Sequence, residues 1–305
     1  MTTRFVAGVD STPEAPIRAR LQQLIAVDPN IAVLSALIGP RGMLEWAHSV
    51  GVATDEILAN CVAPIPPLEL RQIVADPNVA PFLYSGFLDA SVAASMFQEY
   101  GGTDHVRPTV LDFGCGCGRV MRFFDPQTWE VRGAEINPAH VRWCNENLAG
   151  TRTVLNNHEP PVPIGDSTVD FAYALSVFSH LPRALDTAWL ADLARIIRPG
   201  GLAVISTHGY AALATIAASR EHQEMFRLTA AEAVAIGDRL AADELVHLPY
   251  AQDVLDLAQA GPSYGNTFVD PGYAERTWGR DNFALTAHLP GGLRGWQDVY
   301  VLTRR

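Results

Sequence analysis

The sequence predicts a doubly wound α/β domain, a mostly parallel sheet closed by an antiparallel C-terminal hairpin, with a helical region before it and a helical insertion within it. Three observations carry this prediction. From Thr109 onward, short apolar runs alternate with helical patterns, the mark of a parallel sheet covered by helices on both faces. The first run ends in an acid and passes directly into three glycines at alternate positions, Gly114, Gly116 and Gly118. The last two runs, 283–289 and 298–303, are separated by a loop opening with Pro290, Gly291 and Gly292, which reads as a long hairpin.

Residues 1–107 show no strand pattern and read as helical pieces punctuated by Pro and Gly, at 13–27, 41–50, 54–61, 68–74 and 82–100. The sheet domain then spans 108–305. Its first strand is 109–112, followed by the glycine turn and a helix at 119–124; strand two, 129–135, also ends in an acid. Asn137 is placed to cap the next helix with Pro138 at its first position, and Val141, Cys144 and Leu148 form the apolar stripe. Strands three and four are 151–155 and 169–174. The helix 187–197 shares one apolar face among Trp189, Leu193, Ile196 and Ile197, ends before Pro199, Gly200 and Gly201, and leads to strand five at 202–206. About 75 residues then precede the hairpin, with helical segments at 211–220, 230–242 and 252–260, so 209–264 reads as an insertion roofing the sheet.

Composition removes several classes of function. With 33 acidic against 22 basic side chains, the net charge of -11 repels a phosphate backbone or an anionic bilayer, so nucleic acid and membrane are not expected partners. The most apolar run, 31–38, falls far short of the roughly 20 residues that cross a bilayer. The four cysteines are scattered and no secretory leader is visible, which implies a cytoplasmic protein. Cys115 and Cys117 are too closely spaced for an ordinary zinc pair and lack two obvious further ligands, so no metal is expected. Nothing in the sequence specifies an oligomeric state.

The chemistry is concentrated in residues 110–119, Val-Leu-Asp-Phe-Gly-Cys-Gly-Cys-Gly-Arg. In an open parallel sheet, ligands bind beyond the carboxyl ends of the strands, and glycine lets the backbone approach them. A dinucleotide turn would place its third glycine one position later and would not welcome the carboxylate of Asp112 beside a pyrophosphate. Asp112 suits a cation instead, and S-adenosylmethionine offers a sulfonium and an ammonium. Glu135, about 20 residues beyond the turn, has the spacing of an acid that accepts both ribose hydroxyls.

These residues resemble the class I S-adenosylmethionine-dependent methyltransferases, whose first motif matches 110–118 and whose ribose acid matches Glu135. The likeness extends through 169–174, Ser179-His180-Leu181 and 193–206, covering about 108–208 and implying a Rossmann-like sheet. It implies that Asp112, Gly114 and Gly116 contact the methionine part, Glu135 the ribose, Ile136 the adenine face, and Asn157 or His158 the adenine edge, where the family often has an acid. Cys115, Gly118, Asn137 and Ser176 complete the implied cofactor set. A hydroxyl acceptor benefits from a base, for which His180 and then His208 are the candidates, with Tyr173 and Ser176 as orienters. Tyr84, Trp143, Phe226, Tyr264, Phe268 and Trp278 are candidate cavity aromatics. The resulting expectation is methyl transfer to a small molecule, oxygen favoured, in specialised metabolism. The alternatives are S-adenosylmethionine used for cyclisation or lyase chemistry, and a protein methyltransferase.

Overall fold

Thr109–Phe113 (β1) and Val169–Ala174 (β4) are buried at every position, which only a strand covered on both faces can be. The computed structural model describes residues 64–74, 77, 79–102, 106–258 and 261–305. The helical segments expected at 13–27, 41–50 and 54–61 lie outside the described residues. The first described helices are Leu68–Val74 (α1) and Val79–Tyr100 (α2).

β1 pairs in parallel with Glu130–Glu135 (β2) on one side and with β4 on the other. Thr151–Leu155 (β3) extends the sheet beyond β2, and Ile197–His208 (β5) lies beside β4. Between these strands come Pro138–Asn147 (α3) and Arg183–Ile196 (α4). Asn137 caps α3 as expected, its side chain accepting from the Ala139 N–H, with Pro138 opening the helix. After β5 come the helices Tyr210–Ala218 (α5), Arg220–Phe226 (α6) and Ala230–Asp243 (α7), then Leu245–Pro249 (β6), Gln252–Ala258 (α8) and Gly265–Val269 (β7). Phe283–Leu293 (β8) and Gln297–Arg304 (β9) form the hairpin, with β9 antiparallel to β5 from Leu202 to His208.

Two apolar layers follow from the period of two along the strands. Leu111, Ala172 and Ala174 face one core with Trp189 and Leu193 of α4. Val110, Phe171 and Tyr173 face the other, where Phe82, Ala90, Ala93 and Met96 of α2 pack. The end of the N-terminal region is therefore a layer of the sheet's own core.

Two expectations need correcting. The helix placed at 119–124 is only a 3₁₀ turn, Met121–Phe123, because Phe124 is already extended and Pro126 disfavours helical backbone at Asp125. The insertion is not purely helical either. β6 pairs antiparallel with β7, and β7 joins β5 at His208, beyond the last β4 pair, Ala174 with Ile205. This added hairpin brings Tyr250, Tyr264 and Asn266 to the carboxyl end of the sheet.

Candidate active site

The carboxyl ends of β1, β2, β4 and β5 open into one cavity of about 680 Å³, inside the range of roughly 300–1,000 Å³ typical of small-molecule sites. Its floor is the glycine turn. Gly114 (φ +81) is required as glycine, since a Cβ there would lie 2.5 Å from Val177 Cγ2 and the backbone is left-handed. The Gly116 N–H donates to Glu135 Oε2 at 2.8 Å, and the Asn137 N–H donates to Glu135 Oε1 at 2.8 Å. One buried carboxylate thus ties the turn after β1 to the start of α3.

Among the sequence-predicted residues, Asp112, Gly114, Cys115, Glu135, Ile136, Asn137, Ser176, His180 and His208 all line this cavity. Gly116, Gly118, Tyr173, Asn157 and His158 are not in its lining. Gly116 shapes it through Glu135, while Gly118 packs towards Leu148 and Cys144 under the turn. Tyr173 is 1% exposed and stacks on Phe124 at 5.4 Å, so it supports the floor and does not orient an acceptor. The His158 ring lies edge-on to Tyr264 at 6.1 Å. The residue of this segment that lines the cavity is instead Asn156, one position earlier. Its N–H is held by the Glu135 carbonyl at 3.0 Å, its Nδ2 by the Asn157 carbonyl at 2.9 Å, and its Oδ1 is buried without a hydrogen-bond partner among the described residues. Of the candidate aromatics, Phe226 and Tyr264 reach the cavity; Trp143, Phe268 and Trp278 do not, and the side chain of Tyr84 lies outside the described residues.

Among the described residues, Asp112 Oδ2 is a second buried oxygen without a hydrogen bond. Burial pushes the Asp112 carboxyl up to about 7, against the opposing pull of Tyr173 and Arg119. The Tyr173 hydroxyl lies near enough to perturb it without being aligned for a hydrogen bond. Because the folded-state value lies above the unfolded one, the folded protein binds the extra proton between about 4 and 7, and this group favours the fold less as pH rises. The stability gained by Asp112→Asn over the parent should therefore grow from about pH 4 to about pH 7 and level off above, as read by urea unfolding.

His180 and His208 stand side by side, ring centroids 6.0 Å apart. His180 Nδ1 lies 3.0 Å from the Gly265 carbonyl and 2.8 Å from the Tyr250 hydroxyl. A carbonyl can only accept, so Nδ1 carries the proton; Tyr250 in turn donates to Asn266 Oδ1 at 3.0 Å. Among the described residues Nε2 has no hydrogen-bond partner, so its lone pair is free in a ring that lines the cavity. Burial lowers the His180 pKa, keeping the ring neutral. His208 is 2% exposed, stacked on Trp296 at 5.4 Å and flanked by Phe226 and Phe268, and burial holds it well below the ordinary histidine value. Ser176 is committed elsewhere: its N–H donates to Ser206 Oγ and its hydroxyl to Gln297 Oε1.

The walls come from segments the sequence does not connect. Ile73 and Val74 of α1, Met225 and Phe226 of α6, and Val254 of α8 line the cavity, as do Arg119, Arg294 and Trp296. Apart from Arg119, which closes the glycine-turn motif, none of these carries a motif; the signals that pointed to a roof are the helical patterning of 68–74 and the insertion at 209–264. The polar lining fits S-adenosylmethionine: two buried acceptor oxygens, on Asp112 and Asn156, without hydrogen-bond partners among the described residues, suit an ammonium and an adenine amino group, and the glycine cradle leaves room for backbone contact.

The family profile agrees. The profile of the methyltransferase-domain family matches residues 87–252. An uncharacterized methyltransferase of Mycolicibacterium paratuberculosis is 29% identical over 130 residues, 41% of this chain and 50% of that protein. A malonyl-[acyl-carrier protein] O-methyltransferase of Serratia marcescens is 30% identical over 132 residues, 40% of this chain and 49% of its own. The chain thus spans about half the length of these curated relatives. Among solved structures, the 1,6-didemethyltoxoflavin-N1-methyltransferase of Burkholderia thailandensis, with bound S-adenosylhomocysteine, superposes with a TM-score of 0.44 at 17% identity, covering 70% of this chain and 76% of that one. With more than half of its 305 residues matched by the family profile, and with a glycine turn and acid-ended strands at the rim of a parallel sheet, the chain belongs to the class I S-adenosylmethionine-dependent methyltransferases.

Proposed function

We propose that this enzyme methylates a hydroxyl oxygen of a small-molecule acceptor, with His180 as the general base. The observation that carries the reading is the neutral, single-tautomer His180, whose Nδ1–H is held by Gly265 and Tyr250 and whose Nε2 is left to the cavity. The cofactor would lie with its ribose hydroxyls on Glu135, its adenine between Ile136 and Asn156, and its ammonium towards Asp112. When bound, S-adenosylmethionine supplies an electrophilic methyl group on a sulfonium. The chain's own part is to hold the acceptor in line, exclude water, and take the hydroxyl proton at His180 Nε2.

A small acceptor is supported by the roof that α1, α6 and α8 place over the cavity, and by the acidic net charge of -11, which disfavours nucleic acid. A cytoplasmic setting is supported by Cys115, Cys117 and Cys144, all buried and unpaired. No described helix is long and apolar enough to cross a membrane.

The test is incubation with methyl-labelled S-adenosylmethionine and a metabolite extract, following cofactor products and labelled acceptors by mass. S-adenosylhomocysteine together with a labelled, base-stable ether supports the reading. Methylthioadenosine, or label on carbon or nitrogen, overturns it.

A further inference from the structure

We propose that Arg294 is the receptor for a carboxylate on the acceptor, so that the enzyme takes hydroxy acids in preference to neutral alcohols. The inference rests on the methyltransferase reading above and narrows its substrate class. It begins at Asp89 of α2, which is 0% exposed and carries two guanidinium partners, Arg119 Nη2 at 2.6 Å and Arg294 Nε at 3.1 Å. Two cations on one anion leave this three-residue cluster with a net positive charge.

The two arginines are not equivalent. Arg119 follows the glycine turn directly, and its remaining terminal nitrogen donates to Ser85 Oγ at 3.2 Å. Arg294 engages Asp89 only through Nε; among the described residues neither of its terminal nitrogens has a hydrogen-bond partner, although the residue lines the cavity. A guanidinium turned this way offers the planar fork that pairs with a carboxylate. Burial and the nearby Arg119 lower the Arg294 pKa, so its charge is held against a cost that an incoming anion would offset.

Position assigns the fork to the acceptor. Arg294 lies in the turn between β8 and β9 at φ 55, with Leu293 beside it fully buried. Its Cζ is 6.0 Å from the Trp296 ring, Trp296 stacks on His208 at 5.4 Å, and His208 is 6.0 Å from His180. Along one wall the order is therefore cation, indole, buried imidazole and base. An acceptor lying on this wall would present its anion to Arg294 and its hydroxyl to His180, with the carbon skeleton against Trp296.

The competing source of a carboxylate is the cofactor's own amino-acid tail, and the experiment separates the two. Protein saturated with S-adenosylhomocysteine is titrated, by tryptophan fluorescence, with aromatic and aliphatic hydroxy acids, each paired with its primary amide. The parent should bind acids about tenfold or more tightly than amides, as for a charge-assisted hydrogen bond. Arg294→Gln should remove the preference, and Arg294→Lys should keep part of it, with circular dichroism and melting confirming that both variants fold. Equal binding of acids and amides by the parent, no measurable acid binding at millimolar concentration, or a preference surviving in Arg294→Gln would overturn the proposal. So would weakened S-adenosylhomocysteine binding in Arg294→Gln with methylthioadenosine binding unchanged, which would place the fork on the cofactor. Failure of the parent to bind S-adenosylhomocysteine would instead strike the methyltransferase reading beneath it.

Discussion

His180→Gln is expected to lower turnover by about 10²–10⁴-fold, the usual contribution of a positioned general base, while S-adenosylhomocysteine affinity stays within about twofold. The ring is the wall residue whose protonation state is dictated on one side and open on the other. Gly265 and Tyr250 hold the proton on Nδ1, and burial keeps the ring from charging. Glutamine keeps polarity and much of the volume but cannot accept a proton at neutral pH. In the parent, kcat should fall as pH drops through the lowered His180 pKa, because protonation consumes the Nε2 lone pair; in His180→Gln that limb should disappear. A variant retaining parental kcat would show that the acceptor needs no base. Tyr250→Phe offers a graded check, since it removes one of the two partners of Nδ1 and leaves Gly265 in place.

Glu135→Ala should weaken S-adenosylhomocysteine binding by about 100-fold or more, at or above the upper end of the ~1.5–3 kcal/mol of one charge-assisted hydrogen bond. The carboxylate accepts from Gly116 on one oxygen and from Asn137 on the other, so its removal also frees two buried N–H donors and unfastens the turn from α3. The sharper variant is Glu135→Gln. Both partners are donors, and an amide can satisfy only one of them, so glutamine should rescue little of the loss. Calorimetry showing near-parental affinity for Glu135→Gln would mean that the carboxylate serves the ribose alone and does not organise the floor.

Much of this site was legible in the linear chain because it depends on local rules. A β-strand that carries Asp112 at its end, one residue short of the observed terminus at Phe113, and turns through glycines, a second that ends in Glu135, and Asn137-Pro138 opening a helix each concern neighbours in sequence, and the structure forms all three. The elements that escaped lacked local signals. β6 and β7 are five residues each and pair across α8, so no turn chemistry joins them, and β6 ends in a proline. Asn156 differs from Asn157 by one position, and in an extended segment one position reverses the side chain, which spacing alone does not resolve.

The sequence by itself determined the parallel core of the sheet, its C-terminal hairpin and its rim, because hydrophobic period, capping and glycine turns act over a few residues; the acids at that rim and the family resemblance pointed to the cofactor. Only the tertiary structure decided which side chains share the cavity. Tyr250 reaches His180 across 70 positions, Gln297 reaches Ser176 across 121, and Arg294 meets Asp89 on a helix far upstream. Contacts of that kind follow from how β7 and β9 dock on β5, which the order of residues along the chain does not encode in any local pattern.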